Sequence, residues 1–292
     1  MEAMRSLFTA AIFSMDIIVT VSDISYGNFI RIDGYKLTSP FAVGYYQFSR
    51  LKCAETCLQN ICSAINYHVQ TQECQLNSDT PYTNPEAVEE VQGWAIFYLQ
   101  RDTDWELVFR AKANNSLSPY NTWMGTSSAP TPVQDGCRLM TGTFTCNSIY
   151  RSDVLDSWQS QSISEVKLEM YRHGKRVVRT HFNGTGSTFT DWFGIDRLID
   201  SGWSTLNENR TFNYFQLLGS DSRRFFINQN YGGCSNDAGW MVVIDVDNGY
   251  RVCDWDSMVN RPVFKYAPGE NATRWIEYAH EEADVLAVFL KR

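Results

Sequence analysis

The 292-residue sequence has few of the residues and motifs by which enzyme active sites are recognised. Its four histidines, His68, His173, His181 and His280, are far apart, and no two of them have the spacing of metal ligands. It contains no Gly-x-Ser-x-Gly, no His-Glu-x-x-His and no phosphate-binding glycine loop. We therefore predict a protein without enzymatic activity. An enzyme of unknown class is the alternative, because paired carboxylates for glycoside hydrolysis are brought together in space rather than in sequence.

Basic residues are in the minority, with 25 Lys and Arg against 33 Asp and Glu and a net charge of −8. Nucleic acid is therefore not an expected partner, because phosphate binding requires a basic stripe. The acids are scattered rather than clustered, which excludes a polyacidic protein that nucleates mineral. Beyond residue 22 no segment is long and apolar enough to span a bilayer, so no transmembrane segment is predicted.

The N-terminus has the pattern of a signal peptide over residues 1–22. Arg5 precedes an apolar run from Leu7 to Val21, and the small residue Ser22 fits a cleavage point. A buried first strand is the alternative, since Asp16 interrupts the run. Four Asn-x-Ser/Thr sequons are glycosylation candidates in a secreted chain: Asn114, Asn183, Asn209 and Asn271.

Cysteine usage supports the same compartment. The eight cysteines are an even number and fall into two groups of four, which is typical of a disulfide framework formed in an oxidising environment. The groups are Cys53, Cys57, Cys62 and Cys74, then Cys137, Cys146, Cys234 and Cys253. We predict a secreted protein of the extracellular matrix.

The first four cysteines lie in a predicted domain over residues 25–100. A helix at Leu51–Asn60 would place Cys53 and Cys57 on one face, and strands are expected at Cys62–Val69 and Trp94–Leu99. The spacing Cys-x3-Cys-x4-Cys-x11-Cys, with Asn66-Tyr67 in the strand that follows, resembles the PAN/apple module. This resemblance implies a helix packed on a sheet, the disulfides Cys53–Cys74 and Cys57–Cys62, and binding of proteins or glycans. An unrelated small disulfide domain is the alternative.

A polar segment at residues 100–104 predicts the domain boundary. Eight of the nine tryptophans follow it, between Trp105 and Trp275, so residues 105–292 are expected to have a separate, β-rich core. Ile163–Phe182 reads as a hairpin that turns at His173-Gly174. Thr190 is expected to cap a short helix at Asp191–Asp200. Cys137 and Cys146 are close enough in sequence to bridge a local turn.

The segment Phe225–Asp256 predicts a second hairpin. Its first arm is Trp240–Val246, the turn is Asn248-Gly249, and the returning arm would place Cys253 opposite Ile244. Cys234 would then pair with Cys253. Because Met241–Ile244 is apolar on both faces, this strand is expected to be central in its sheet.

The same region carries a second resemblance. Four segments are similar to the C-terminal domain of the uncharacterized skeletal organic matrix protein 5-like secreted invertebrate proteins, known from stony corals: Trp105–Arg110, Phe225–Trp240, Cys253–Trp255 and Ala283–Leu290. The resemblance implies a secreted protein related to those of a calcified matrix, with no known activity. The expected fold class is α+β, with a small PAN/apple-like disulfide module followed by a larger, mainly antiparallel β domain.

Candidate metal ligands are few, and no cofactor is predicted. Asp245 and Asp247 flank a turn that resembles a fragment of a calcium loop, but the spacing favours an ordinary hairpin turn. Asp237, in a polar loop, is the better candidate for calcium, although an ordinary solvated acid is the simpler interpretation. The basic cluster from His173 to Arg179 fits either sulfated glycans or the solvated arm of a hairpin.

Two functions follow from these features. The first is a secreted, non-enzymatic matrix or adhesion protein that binds proteins or glycans, in a calcified skeletal matrix if the second resemblance extends to biomineralization. The alternative is a soluble, lectin-like recognition protein that depends on calcium. The sequence makes no prediction of oligomeric state.

Overall fold

The structure is a computed structural model that describes residues 16–17, 28–38, 43–60, 62–100, 105–126, 133–140, 146, 148–229, 232–246, 253–257, 260–277 and 279–292. The chain divides into two compact units, Met1–Asp102 and Thr103–Arg292. The expected signal peptide lies outside the described residues except for Asp16–Ile17, which pair with Phe29 and Ile30.

The first unit is an antiparallel sheet with one helix. Its elements are β1 (Asp16–Ile17), β2 (Asn28–Leu37), β3 (Val43–Tyr45), α1 (Arg50–Gln59), β4 (Ala64–His68), β5 (Glu73–Asn77) and β6 (Val88–Gln100). The strand order is β1-β2-β6-β4-β5-β3. The predicted helix is confirmed, and it begins where the Ser49 side chain accepts a hydrogen bond from the Lys52 amide.

Cysteines hold the helix of the first unit against its sheet. Cys53 and Cys57 are buried on one face of α1. One disulfide, Cys53–Cys74, joins the helix to β5, and Cys57–Cys62 closes the turn after the helix. These pairs coincide with those implied by the PAN/apple resemblance. The core of this unit therefore includes four half-cystines beside its aliphatic and aromatic side chains.

The second unit consists of two antiparallel sheets. Its elements are β7 (Glu106–Lys112), α2 (Pro119–Trp123), β8 (Tyr150–Arg151), β9 (Glu165–Arg172), β10 (Lys175–Asn183), β11 (Leu198–Ser201), β12 (Phe212–Leu218), β13 (Arg223–Gln229), β14 (Ala238–Ile244), β15 (Val263–Tyr266), β16 (Thr273–Arg274), β17 (Glu281–Ala283) and β18 (Val285–Lys291). One sheet has the order β11-β10-β9-β18-β7-β8 and the other β12-β13-β14-β15-β17, with β16 beside β14.

Both sheets of the second unit contribute to one aromatic core. Val166, Leu168 and Met170 alternate along β9 and point into it. Trp123 lies near its centre, with ring-centroid distances of 5.2 Å to Phe109 and 6.0 Å to Phe225. Four further tryptophans belong to the same core: Trp158, Trp192, Trp203 and Trp240.

The hairpin predicted at Ile163–Phe182 is confirmed. β9 and β10 pair from Lys175 opposite Arg172 to Asn183 opposite Glu165. His173 and Gly174 both have positive φ, 51° and 78°, which is the conformation that a two-residue hairpin turn requires.

The expected α+β fold class is wrong. Of the described residues 44% lie in strands and 18% in helices, and most of the helical residues belong to short 3-10 turns, so the protein is mainly antiparallel β. The helix predicted at Asp191–Asp200 is also wrong. Thr188 there accepts from the Asp191 amide in a local turn, and only Ile195–Arg197 forms a 3-10 helix before β11 begins.

The hairpin predicted within Phe225–Asp256 is also wrong. β14 is central, as expected, but Ile244 lies opposite Arg223 and Val263 rather than Cys253. Cys253 instead caps a 3-10 helix at Asp254–Asp256, whose Trp255 clusters with Val242 and Ile244 on the face of β14 away from the main core. The expected Asn248-Gly249 turn lies outside the described residues.

Candidate functional site

A groove in the first unit lies between α1 and the sheet. The helix makes its main contacts with β4 and β5, and beside it a cavity of about 300 Å³ lies over side chains of β2, β4 and β6. We call this cavity the helix groove; it is lined by Phe29, Ser49, Arg50, Leu51, Ala54, Ile65 and Phe97. It has the mainly apolar lining that ligand pockets share.

The helix groove has exposed apolar side chains at its rim and in the segment that leads to it. Leu51 lines the groove and is 47% exposed, while Tyr46, between β3 and α1, is 71% exposed. Arg50 adds an exposed positive charge to the rim. Exposed apolar side chains beside an apolar groove are typical of surfaces that bind proteins.

The second unit contains a larger and more polar cleft, with a volume of about 620 Å³. It lies beside the 3-10 helix Asp153–Ser160, between the end of α2 and the segment that follows β10. We call it the polar cleft; it is lined by Met124, Arg151, residues 155–160 and residues 188–190. The sequence analysis missed it, because its residues come from three distant segments that carry no shared motif.

The two candidate calcium ligands that the structure describes, Asp237 and Asp245, have separate hydrogen-bond partners. Asp237 is 6% exposed, and its carboxylate accepts a hydrogen bond from the Trp255 indole at 3.0 Å. Asp245 is fully buried and accepts from the Ser118 hydroxyl and the Tyr120 amide. Asp247 lies outside the described residues. Both described acids therefore have structural partners.

The acid Asp237 does lie near two sulfur atoms. Among the residues that the structure describes, the candidate ligand atoms of Cys234, Asp237 and Cys253 lie within 4.8 Å of one another, which is close enough to hold a metal ion. However, the two cysteines form the disulfide Cys234–Cys253, and the sulfurs of a disulfide are not thiolate ligands. The cluster instead fixes the 3-10 turns that cover β14. The fourth disulfide, Cys137–Cys146, bridges a local segment, and these two pairs also coincide with the expected ones.

The predicted basic cluster is largely paired with acids. Arg176 donates to Glu169 at 3.1 Å, and Arg179 forms an ion pair with Asp200 across β10 and β11. An anionic glycan would have to displace these carboxylates. The arrangement therefore favours the solvated hairpin arm over a sulfated-glycan site.

A buried polar cluster that the sequence did not predict lies at β15 and β17. Lys265, 1% exposed, has its Nζ 2.7 Å from Nε2 of His280. Burial lowers the pKa of Lys265, and burial together with the Lys265 charge lowers the pKa of His280 to about 4. His280 is thus neutral and accepts from the ammonium group. The only sequence signal was one lysine in the otherwise apolar strand Val263–Tyr266.

The neighbouring Tyr266 belongs to the same region. Its hydroxyl donates to Glu281 at 2.6 Å, and Arg172 of β9 donates to the same carboxylate at 2.6 Å. Burial, with the Glu281 hydrogen bond and charge, raises the pKa of Tyr266 to about 12. These bonds tie β17 to β15 and β9, which is a structural role.

The four sequon asparagines share one property that glycosylation requires. All of them are exposed: Asn114, Asn183, Asn209 and Asn271. Asn183 lies at the end of β10, where its side-chain oxygen accepts from the Thr185 amide. N-glycosylation at these positions remains a prediction.

Comparison with known proteins supports the interpretation of the first unit. The PAN domain family matches residues 26–101. No curated protein matches the chain. A PAN domain suggests binding of protein or carbohydrate in an extracellular context, and the four disulfides are consistent with that location. Among the described residues no helix has the length and apolar character needed to cross a membrane.

Proposed function

We propose that this chain is a secreted, non-enzymatic protein of the extracellular matrix, and that its PAN domain binds a protein partner in the helix groove. The observation that carries the proposal is the apolar groove beside α1, with Leu51 exposed at its rim. A half-exposed leucine on a disulfide-fixed helix is a preorganised contact, so little conformational entropy is lost when a partner covers it.

The chemistry of the groove indicates the kind of partner. Phe29, Ile65 and Phe97 form an apolar floor, which suits one large apolar side chain of a protein segment. Arg50 at the rim favours an acidic residue next to that side chain. The expected ligand is therefore an apolar and acidic segment of another extracellular protein.

Photo-crosslinking from the groove tests this proposal. The full chain is secreted from eukaryotic cells with a benzophenone amino acid at position 51 or, as the control, at position 69. Val69 is a matched control because it is also apolar and is 55% exposed. We expect a protein partner to crosslink from position 51 and not from position 69.

The partner identified by mass spectrometry is then purified and titrated. Leu51→Glu is expected to weaken binding by about tenfold or more, as for a central interface residue, whereas Val69→Glu changes it by less than about twofold. Equal effects of the two substitutions would contradict the proposal. So would crosslinks that reach only the chain's own N-terminal residues or a second copy of the chain.

A matrix role of this kind is adhesive rather than nucleating. The acids of the chain are scattered along the sequence with no long acidic run, which favours adhesion over mineral nucleation. The resemblance of the second unit to skeletal matrix proteins supports residence in a calcified matrix. To test this location, the protein is extracted from skeletal mineral before and after decalcification. We expect it to be released only after decalcification.

A further inference from the structure

The polar cleft of the second unit has the two surfaces that sugar recognition uses. The accessible part of its floor is apolar, because Met124 and Phe189 are partly exposed there, above the buried side chains of Leu155 and Trp158. Its rim is polar and exposed, with Asp156, Gln159 and Thr190. A sugar likewise has an apolar face and a set of hydroxyl groups, and few precisely placed polar groups suffice to orient it.

The carboxylate of Asp156 is held in place for a ligand. Arg151 donates to both of its oxygens, at 2.9 and 2.7 Å, and Arg151 is itself fixed by donation to the carbonyl of Trp123. The Asp156 side chain remains 65% exposed. Each carboxylate oxygen has a further lone pair, so both can accept hydroxyl groups from the cleft side.

The charge of the polar cleft is balanced. Hydrogen bonding to Arg151 lowers the pKa of Asp156, so this carboxylate is ionised at neutral pH. Arg151 is the only cation among the lining residues, and it neutralises the only anion. A cationic ligand would find the Asp156 carboxylate already paired, and an anionic ligand would find the Arg151 guanidinium already paired. The balance favours an uncharged ligand.

We propose that the second unit binds a neutral saccharide in the polar cleft, with Asp156 accepting sugar hydroxyls and the apolar floor covering one sugar face, without a metal ion. The volume of about 620 Å³ is within the usual range for small-molecule sites, roughly 300 to 1,000 Å³. This site is separate from the helix groove, so the proposal does not depend on the partner of the PAN domain.

Calorimetric titration of the full secreted chain with sugars tests the proposal. The probes are neutral saccharides, namely glucose, galactose, mannose, fucose and N-acetylglucosamine and their short oligomers, and a sulfated and a sialylated oligosaccharide. Each titration is carried out both with and without EDTA. We expect at least one neutral saccharide to bind and the two anionic ones not to bind.

Two variants assign the binding to the cleft. Asp156→Asn is expected to weaken binding about tenfold or more, because a hydrogen bond to a charged acceptor is about twice as strong as one to a neutral acceptor. An exposed ion pair contributes little to stability, so the variant should fold. The control is Asp153→Asn, which removes the same charge from an exposed site on the same 3-10 helix, outside the cleft lining.

Thr190→Val provides an independent check, because it removes an exposed hydroxyl from the opposite rim while preserving side-chain volume. It should also weaken binding, with an unchanged melting temperature. The proposal is overturned if no neutral saccharide binds, if EDTA abolishes binding, or if Asp156→Asn and Asp153→Asn bind equally well.

Discussion

The helix of the first unit is held to its sheet by half-cystines, whereas the second unit is built around packed tryptophans. In the first unit Cys53, Cys57 and Cys74 lie within the core itself. In the second unit Trp123 contacts Phe109 and Phe225 at the centre of the main core, whose described members include no half-cystine. The Cys234–Cys253 disulfide belongs to the smaller cluster on the other face of β14. The smaller unit therefore depends on covalent links, and the larger one on the area it buries.

The two units also differ in the polarity of their candidate binding surfaces. Fixing α1 over β4 and β5 leaves an apolar groove beside it, which suits a protein segment. Among the described residues, the second unit has fewer exposed large apolar side chains for its size, and its polar cleft has a polar rim around Asp156. The helix groove therefore suits an apolar protein segment, and the polar cleft suits a ligand with several hydroxyl groups.

Trp123→Ala is the substitution expected to have the largest effect. It removes a fully buried indole and its hydrogen bond to the Phe189 carbonyl, so the second unit should lose about 3–5 kcal/mol of unfolding free energy. Tryptophan fluorescence measures this loss, since eight of the nine tryptophans lie in that unit. Hydrogen exchange in β4 and β6 should stay unchanged; faster exchange there would show that the two units do not have independent stability.

Removing the Cys53–Cys74 disulfide is expected to have the next largest effect on stability. This effect should appear in the first unit. The bridge spans 21 residues, and the chain-entropy estimate for such a loop is about 3 kcal/mol. In the double variant Cys53→Ala, Cys74→Ala, hydrogen exchange should accelerate in β4, β5 and β6 while the fluorescence transition of the second unit stays in place. A downward shift of that fluorescence transition would contradict the comparison.

A smaller effect is expected from pH, and only in the second unit. The pKa of His280 is about 4 in the folded protein and about 6.5 in the unfolded chain. Between these values the unfolded state binds the extra proton, so stability falls as the pH decreases from about 6.5 towards 4.5, by at most about 1.4 kcal/mol per pH unit.

Two histidine variants identify the source of that pH dependence. His280→Gln should flatten the fluorescence-detected stability curve between pH 6.5 and 4.5, where the lowered pKa of Glu281 keeps that carboxylate ionised. His173→Gln, at an exposed turn, should leave the curve as it is. The assignment fails if both variants retain the slope.

Local patterns in the sequence predicted some parts of the structure well. The hairpin of β9 and β10 follows from alternation and a two-residue turn, and α1 follows from the spacing of Cys53 and Cys57. These features depend on neighbours in sequence. The exposed face of Leu51 could be inferred from the same helix.

Long-range packing was not predictable in this way. The Asn248-Gly249 pattern favoured a hairpin, but β15 and not the Cys253 segment pairs with β14, and Trp255 from a 3-10 helix packs on the apolar face of β14. The polar cleft brings Arg151 and Asp156 together with Thr190, which lies in a later segment of the chain, and no local pattern predicts that proximity. Asp237 looked like a loop ligand because nothing local indicated the Trp255 indole that binds it.

A crossed binding measurement tests most directly whether the chain binds two ligands on two independent surfaces. The protein partner and the neutral saccharide are each titrated against the wild type, Leu51→Glu and Asp156→Asn. We predict that Leu51→Glu weakens protein binding about tenfold or more and changes saccharide affinity less than about twofold, and that Asp156→Asn does the reverse. Loss of both affinities in either variant, at an unchanged melting temperature, would contradict this account.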